Sequence, residues 1–369
     1  MAGLAVVFVV GLAGRFWFGT LGHSWDYESC RIVADLCEQG KNVYAGTFRY
    51  NYGPVLFNIL HLLDLLSGRD PAVFRQLLIG FLSAADLGIA FLLWRKYGPL
   101  AAALFFLNPV SMMVSGLINQ FDNVAILLGL WSVVMFGDEF DKPLDRRKCG
   151  ALAILGLSLM TKHLLFAFPF WLAVKQRGGW QKFFIMAIPT SIFLAGFVPY
   201  WPAGHAGIIS NVFEYRAMND LMGRSYSQFF YNGFVPEILR MMAGAQFWWL
   251  LLLVLFAFVC RARNSFDSLL VYTGVLVAFS PSLFAYYLAI PLALLCTAIN
   301  PLSLCCMGFA ALHIATYGTN LLKNIPGRFD DIAIYFLMAF LAWLLWREPI
   351  LRAAQHCRRE INRQFDGGD

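Results

Sequence analysis

The amino-acid sequence predicts an all-α multi-pass membrane protein with about twelve transmembrane helices. Hydrophobic residues make up 59% of the 369 positions, and only 14% are charged, whereas a soluble domain has about a quarter of its residues charged. Apolar segments that approach the length of a bilayer crossing recur along the whole chain. The short basic turns between them fall on one side, as the positive-inside rule requires.

The first predicted span covers residues 3–20. It contains Arg15 and lacks the basic start and small-residue cleavage site of a signal peptide, so we expect a retained helix. The other spans are expected at residues 75–94, 98–116, 122–137, 149–161, 163–174, 183–199, 246–260, 266–281, 283–299, 302–319 and 330–346. This arrangement predicts that both termini are cytoplasmic.

A long polar segment, residues 21–74, separates the first two spans and is predicted to be external. Connections between helices are usually short, so a loop of this length suggests a function. A juxtamembrane helix is expected at 27–39, and a second, interfacial helix at 54–66 has one polar stripe. Residues of that stripe recur every third position: Asn58, His61 and Asp64.

Charge and cysteine content exclude several classes of protein. The net charge of +6 is explained by basic cytoplasmic turns, so no nucleic-acid partner is expected. The eight cysteines do not have the spacing of metal ligands. Cys30 and Cys37 would lie on one helix in a poor geometry for a disulfide. We therefore predict neither disulfides nor a structural zinc ion.

Asp26 is the first candidate for chemistry, because it follows Trp25 near the exit of the first span. A carboxylate beside aromatic residues at this position suits a general base. The alternative is structural, since aspartate is a common N-cap and Asp26 stands at the start of the predicted loop helix.

Lys162 lies in the run LSLMTKHLLFAFP, between two short apolar spans. Ionisable residues at such positions are costly and are often functional. A functional lysine here would bind an anionic headgroup such as a phosphate. Alternatively, its side chain could reach the interface and serve no chemical role.

Further charged residues stand at the same external side. Arg216 and Arg224 lie in the second long loop, and arginine suits bidentate phosphate recognition; solvated loop charges are the alternative. Asp122 starts the fourth predicted span and could face the site or cap a helix. Asp86, within the second span, is expected to pair with another polar group rather than to catalyse.

Together these residues suggest a group transfer at the external membrane face. A sugar linked to a lipid through phosphate would enter sideways from the bilayer. The base would deprotonate an acceptor hydroxyl, which would attack the anomeric carbon. The cations would stabilise the departing lipid phosphate.

Several motifs resemble the GT-C class of integral-membrane glycosyltransferases. The stretch WDYES with Arg31 resembles the DYEAQR-type motif of ALG-type dolichyl-phosphate-glucose glucosyltransferases, in which the aspartate is the catalytic base. GKNVYAGTFRYNYGPVL resembles a segment shared with the GPI mannosyltransferase that adds the first mannose. Three later stretches also resemble GT-C elements in the same order: LNPVSMMVSGLINQFDN, LMTKHLLFAFP and FSPSLFAYYLAIPLAL.

The resemblance implies a GT-C-type bundle with a long first external loop carrying juxtamembrane helices. It implies an inverting mannosyl- or glucosyltransferase that moves a hexose from a polyprenyl- or dolichyl-phosphate donor to an acceptor hydroxyl, with Asp26 as the base. The whole chain, 1–369, would form one membrane domain. Its first part, 1–200, would be the conserved-type module and would contain the external loop 21–74. A second external loop at 200–245, variable spans at 246–346 and a cytoplasmic tail at 347–369 would follow.

The chemistry of the side chains and the resemblance together give roles to further residues. Lys162, Arg216 and Arg224 would bind the donor phosphate. Five residues would bind substrate or support the site: Glu28, Tyr52, Asp122, His163 and Tyr287. The D-x-D of the GPI enzyme is missing, because Ser24 stands two residues before Asp26. We therefore expect no metal ligands, no cofactor and no inhibition by chelators.

The expected partners are the bilayer, the lipid-linked donor and a glycan or glycolipid acceptor such as a lipid-linked glycan. The chain has no Asn-x-Ser/Thr sequon, which favours a bacterial inner (plasma) membrane over the endoplasmic reticulum.

The main alternative is a transporter or flippase of a lipid-linked sugar, which would contain an inverted repeat and broken helices; the sequence signals neither. A scaffold is a further alternative. An O-acyltransferase would depend on a buried histidine, and His163 and His313 lack a supporting pattern.

Overall fold

The computed structural model describes residues 2–214, 245–280, 284–318, 322 and 329–366. The secondary structure of these residues is helical, with no β-strand among them. We number the α-helices in chain order: α1 Ala2–Thr20, α2 Trp25–Glu38, α3 Val43–Gly46, α4 Pro54–Leu66, α5 Pro71–Tyr97, α6 Pro99–Phe106, α7 Pro109–Met113, α8 Asp122–Phe136, α9 Arg146–Thr161, α10 Phe168–Ala173, α11 Gly179–Phe197, α12 Trp201–Ile208, α13 Ala245–Val259, α14 Ser265–Ala278, α15 Leu292–Leu295, α16 Pro301–His313 and α17 Phe329–Asp366.

Within the described residues, three helical stretches are long and apolar enough to cross a membrane, and the number rises to five if each of two bent pairs forms one span. The three are Pro71–Tyr97, Gly179–Phe213 and Phe329–Arg347. The described part of the chain is thus all-helical and compatible with a membrane protein. The predicted count of about twelve spans is not confirmed.

Short helices account for much of this difference. Several predicted spans correspond to apolar helices of 10–17 residues. At a rise of 1.5 Å per residue such a helix is about 15–25 Å long, which is less than the ~30 Å hydrocarbon core. The predicted span 163–174 contains a 3₁₀ turn and the short α10, and the predicted span 283–299 contains Ala285–Ala289 in 3₁₀ form and the short α15.

Two bent helix pairs shape the N-terminal half. The axes of residues 5–20 and α2 differ by 83°, and Ser24 caps α2 by accepting a hydrogen bond from the Tyr27 N–H. The predicted span 98–116 is divided at Asn108, with a bend of 44° between α6 and the segment that begins with α7. Pro109 explains this break, because proline disfavours helical backbone in the residue before it.

Two helices of the first loop agree with the sequence prediction in their secondary structure. The helix expected at 27–39 occurs as α2 at Trp25–Glu38, and the helix expected at 54–66 occurs as α4 with the same bounds. Pro54 at the first position of α4 favours a helix start, since its fixed φ suits that turn. The position of α4 at a membrane surface stays a prediction.

Helix α11 continues through a 3₁₀ turn, α12 and a π-helical segment as far as Phe213. The first part of the region predicted as a second external loop is therefore helical, and residues 215–244 lie outside the described residues. The last helix, α17, runs beyond the predicted span end at 346 to Asp366.

Two apolar cores hold the helices together. The larger lies between the middle and C-terminal helices, around buried side chains such as Trp171, Phe168 and Tyr272. The smaller packs α2, α3 and α4 against α5 through Tyr44, Tyr50 and neighbouring residues. The second core fixes the first loop as a packed structure, so its polar residues have defined positions.

Arg15 and Asp86 form a buried ion pair between α1 and α5. The distance from Arg15 Nη2 to Asp86 Oδ2 is 2.9 Å, and Arg15 also donates to the Phe106 carbonyl oxygen. Ser115 Oγ and Asn123 Nδ2 donate to the Asp86 carboxylate. The expectation that Asp86 pairs with another polar group is confirmed, and the network ties α1 and α5 to the start of α8.

Candidate active site

Lys162 occupies the C-cap of α9, where its extended backbone (φ −152°, ψ 124°) ends the helix. Its side chain is only 6% exposed. The Nζ atom lies 2.7 Å from Asp122 Oδ1 and 3.2 Å from Gln120 Oε1. Lys162 therefore points into a polar cluster and is not a lysine whose ammonium reaches solvent.

The partners of Lys162 come from a tight turn before α8. A π-helical segment, Val114–Ile118, ends at Asn119, whose backbone is left-handed (φ 64°, ψ 46°). Asparagine tolerates this conformation better than most residues, and its Nδ2 donates to the Ser115 carbonyl oxygen at 2.9 Å. The turn presents Gln120 and Asp122 toward Lys162, and π-helical segments are frequent at functional sites.

Asp122 is the first residue of α8 and does not cap it. The N-cap is Phe121, without a side-chain capping bond, so the helix-cap alternative for Asp122 is wrong. Its carboxylate is only 3% exposed and pairs with Lys162. The positive end of the α8 dipole favours a negative charge at this position.

Asp26 lies in the first turn of α2 and is partly buried. Because Ser24 is the N-cap, the N-cap alternative for Asp26 is also wrong. Ser24 Oγ donates to the Ile118 carbonyl oxygen at 2.6 Å, which holds the start of α2 against the π-helical segment. The Asp26 carboxylate can therefore accept a hydrogen bond from the Gln120 side chain.

Burial raises the pKa of the Asp26 carboxyl above its ordinary value. The nearby Asp122 carboxylate acts in the same direction, while the hydrogen bond from Gln120 and the charges of Lys162 and Arg49 lower that pKa. A raised pKa makes a carboxylate a better proton acceptor, which is the property that a general base requires.

Tyrosine rings surround the Lys162 ammonium. The Nζ atom is 5.0 Å from the ring centroid of Tyr52, 5.7 Å from that of Tyr286 and 5.5 Å from that of Tyr287. Tyr52 also places its hydroxyl 3.5 Å from Gln120 Oε1. Aromatic faces attract a cation, so these rings stabilise the ammonium at a poorly solvated position.

We define the charged cluster as Asp26, Gln120, Asp122 and Lys162. The structure brings together the predicted site residues Asp26, Asp122, Lys162, Tyr52 and Tyr287. It adds Gln120 and Tyr286, which sequence reasoning missed. Tyr286 is next to the predicted Tyr287, and Gln120 is two positions before the predicted Asp122. Glutamine and tyrosine side chains are nevertheless too common in proteins to be singled out on that ground.

Glu28 and His163 have different surroundings. Glu28 forms ion pairs with Arg49 and His23 at 3.4 Å and 3.5 Å, and nearly half of its side chain is exposed. The ring of His163 packs against Phe193 of α11. Among the described residues, no hydrogen bond or ion pair joins the side chain of Glu28 or His163 to the Lys162 ammonium, so their predicted supporting roles stay predictions.

Arg49 forms a clamp around the first turn of α2. Its guanidinium carbon lies 3.6 Å from the Trp25 ring centroid, its Nε donates to Ser29 Oγ, and its Nη2 donates to the Trp25 carbonyl oxygen. These bonds flank Asp26 on both sides in sequence. Sequence reasoning did not single out Arg49, because the contacts join residues about twenty positions apart.

The predicted phosphate ligands Arg216 and Arg224 lie outside the described residues. Among the residues that are described, no group of three or more histidine, cysteine, aspartate or glutamate side chains could hold a metal ion. His313, the other histidine considered for acyl transfer, pairs with Asp330 at 3.6 Å. His163 and His313 thus have separate sets of neighbours.

A small cavity connects the charged cluster with the buried ion pair. Its polar lining includes Asp86, Ser115, Asp122 and Asn123, and its apolar lining includes Ile290. The cavity thus extends from Asp122, which pairs with Lys162, to Asp86, which pairs with Arg15.

Comparison with protein-family models, with curated proteins and with solved structures finds no match to this chain.

Proposed function

We propose that this chain is a membrane glycosyltransferase of the GT-C kind, which transfers a hexose from a polyprenyl- or dolichyl-phosphate donor to an acceptor hydroxyl. The observation that carries the proposal is the connection of Asp26 to Lys162 through Gln120. These two residues are far apart in sequence and were selected separately, one as a base and one as a phosphate ligand. Their convergence supports complementary roles in one reaction.

Asp26 is the general base of the proposed reaction. Its carboxylate accepts the proton of the acceptor hydroxyl as the hydroxyl oxygen forms a bond to the anomeric carbon. The bond from that carbon to the donor phosphate oxygen breaks, and its electron pair leaves with the lipid phosphate. Attack from the face opposite the leaving group inverts the anomeric configuration.

Lys162 stabilises the leaving group. Negative charge develops on the bridging phosphate oxygen as the bond breaks, and a cation held in a poorly solvated site stabilises such charge more strongly than one in water. The tyrosine rings around the ammonium also provide flat surfaces on which a sugar can pack. Mannose and glucose donors are the first choices.

The reaction is placed at the external or luminal face of the membrane, in a bacterial inner membrane in preference to the endoplasmic reticulum. The acceptor is a lipid-linked glycan or a similar glycolipid. The apolar helices of the described residues support access to the site from a bilayer.

The test is transfer by the purified protein. Labelled polyprenyl-phosphate mannose and glucose, and the matching nucleotide sugars, are offered with a crude lipid-linked glycan acceptor. The proposal predicts transfer from a lipid-phosphate donor only. Transfer from nucleotide sugars alone would contradict it. Lys162→Ala should weaken use of the lipid donor, and unchanged donor dependence would contradict the role of Lys162.

A transporter or flippase of a lipid-linked sugar is the second candidate. The observation that favours it is the broken segment at Asn108, with its 44° bend beside buried charges, because discontinuous helices line the binding sites of many transporters. Movement of a fluorescent lipid-linked sugar between the leaflets of proteoliposomes, undiminished by Asp26→Asn, would support this alternative against the transferase.

A further inference from the structure

Asp122 and Lys162 form an ion pair with little access to water. The two charged atoms are 2.7 Å apart, and the side chains are 3% and 6% exposed. An ion pair at this depth is costly to separate, because each charge then loses its partner without gaining full hydration. An anionic ligand of Lys162 must therefore compensate for the loss of Asp122.

Lys162 is the ion-pair partner of the Asp122 carboxylate; within the described part of the chain, neither oxygen of Asp122 has a further hydrogen-bond partner. Asp26 adds a second carboxylate to the charged cluster, so within the described residues this cluster contains two acidic side chains and one ammonium. An arrangement built only to attract an anion would have an excess of positive charge. In this cluster the Asp122 carboxylate itself lies at the position beside Lys162 that an anionic ligand would take.

We propose that Asp122 is an internal competitor of the lipid phosphate for Lys162. Before the donor binds, the Asp122 carboxylate occupies the anion position beside the ammonium, and the donor phosphate takes that position on binding. This inference rests on the proposed function and assigns to Asp122 the tuning of phosphate affinity. Asp122 is thus a positioning residue that acts through Lys162.

The competition has its largest effect on product release. The donor is a phosphodiester with one negative charge, whereas the product is a phosphomonoester that gains a second ionisation near neutral pH. Lys162 alone would hold the product more strongly than the donor. When the Asp122 carboxylate returns to the ammonium, it displaces the product and restores the resting pair.

The experiment measures binding of polyprenyl phosphate to the purified protein in lipid nanodiscs, with polyprenol and inorganic phosphate as separate probes. Asp122→Asn keeps the size of the side chain and removes its charge. We expect it to bind polyprenyl phosphate about tenfold more tightly than the wild type, a difference of about 1.4 kcal/mol. Asp35→Asn removes a half-exposed carboxylate from α2 and should bind as the wild type does.

Kinetics separate this role from a structural one. Asp122→Asn should lower both KM for the donor and kcat, because donor and product are both held more tightly. A variant that is merely misfolded would lose kcat without a lower KM. Binding of polyprenyl phosphate by Asp122→Asn that equals or falls below wild-type binding overturns the inference.

A second pair of variants covers the case in which Asp122→Asn fails to fold. Lys162→Gln with Asp122→Asn contains neither charge of the ion pair, so no buried charge is left without its partner. It should bind polyprenyl phosphate more tightly than Lys162→Gln alone, in which Asp122 repels the phosphate; equal binding overturns the inference.

If the wild type binds no polyprenyl phosphate, the proposed function loses its donor. If the wild type binds it and Asp122→Asn binds no more tightly, only the role of Asp122 is lost.

Discussion

Gln120 Oε1 accepts a hydrogen bond from Lys162 Nζ at 3.2 Å. This bond uses the oxygen of the amide, so its nitrogen remains as the donor to the Asp26 carboxylate. A glutamine is suited to this position, because one planar group can bond an ammonium on one side and a carboxylate on the other. Gln120 thereby sets the distance between the proposed base and the proposed phosphate ligand.

Replacement of Gln120 by leucine should impair transfer without unfolding the protein. Leucine is similar in length but makes neither hydrogen bond, and a misplacement of about 1 Å in a reacting group can reduce the rate about 10²-fold. The measurement is kcat of purified Gln120→Leu. Gln39→Leu, at an exposed position after α2, is the matched control. Equal rates for the two variants would show that Gln120 has no positioning role.

The rate of transfer should fall at acidic pH. Burial raises the pKa of Asp26, and a base works only when deprotonated, so activity is present above that pKa and is lost as the pH falls through it. Arg49→Met removes a charge that lowers this pKa and should shift the acidic limb to higher pH.

The pH dependence of kcat/KM checks this prediction, because it reports ionisations of the free enzyme. Arg69→Met is the control, since Arg69 is an exposed arginine paired with Glu38 on the same loop. Superimposable profiles for the wild type and Arg49→Met would exclude an electrostatic effect of Arg49 on the base.

The stability of the N-terminal helices should depend on whether the buried charges of Arg15 and Asp86 remain paired. Asp86→Leu leaves the Arg15 guanidinium buried and unpaired, and breaking a buried pair in this way costs about 3–5 kcal/mol. The double variant Arg15→Met with Asp86→Leu removes both charges and should recover most of that loss. Unfolding free energies in detergent test this, and a double variant as unstable as the single one would contradict it.

Gly116 should not tolerate a side chain. A Cβ atom at this position would lie 2.3 Å from the Arg15 carbonyl oxygen, so Gly116→Ala must push α1 away from the π-helical segment. Overpacking of this kind costs about 1–3 kcal/mol, and it should also reduce transfer because the same segment leads to Gln120.

Gly80→Ala is the control for this substitution. Gly80 lies within α5, with open space around its missing Cβ, and alanine there should stabilise the helix by about 1 kcal/mol. Thermal unfolding of both variants provides the measurement. A Gly116→Ala protein as stable as Gly80→Ala would show that α1 moves without cost.

Local signals predicted the first loop well. Proline and the apolar pattern gave α4 its observed bounds, and the polar face of residues 27–39 gave α2 to within two residues at each end. The depth of Lys162 was also predictable, because a lysine between two apolar segments has few solvated positions available.

Tertiary contacts were beyond the reach of these signals. The pairing of Arg15 with Asp86 joins residues 71 positions apart, and nothing local to Asp86 identifies its partner. The apolar pattern does not predict the break at Asn108, because it continues across Pro109 as if the segment were one span. The role of Ser24 as N-cap was missed because aspartate at position 26 is an equally good cap on propensity alone.

The central claim is that Asp26 is the base of a sugar transfer from a lipid phosphate. The most direct measurement is the rate of transfer by purified Asp26→Asn, which keeps the size of the side chain but cannot accept the proton. Loss of a general base reduces the rate by about 10²–10⁴-fold, and we predict a loss in this range with the fold intact, while Asp35→Asn on the same helix retains full activity. Near-normal transfer by Asp26→Asn would contradict the claim.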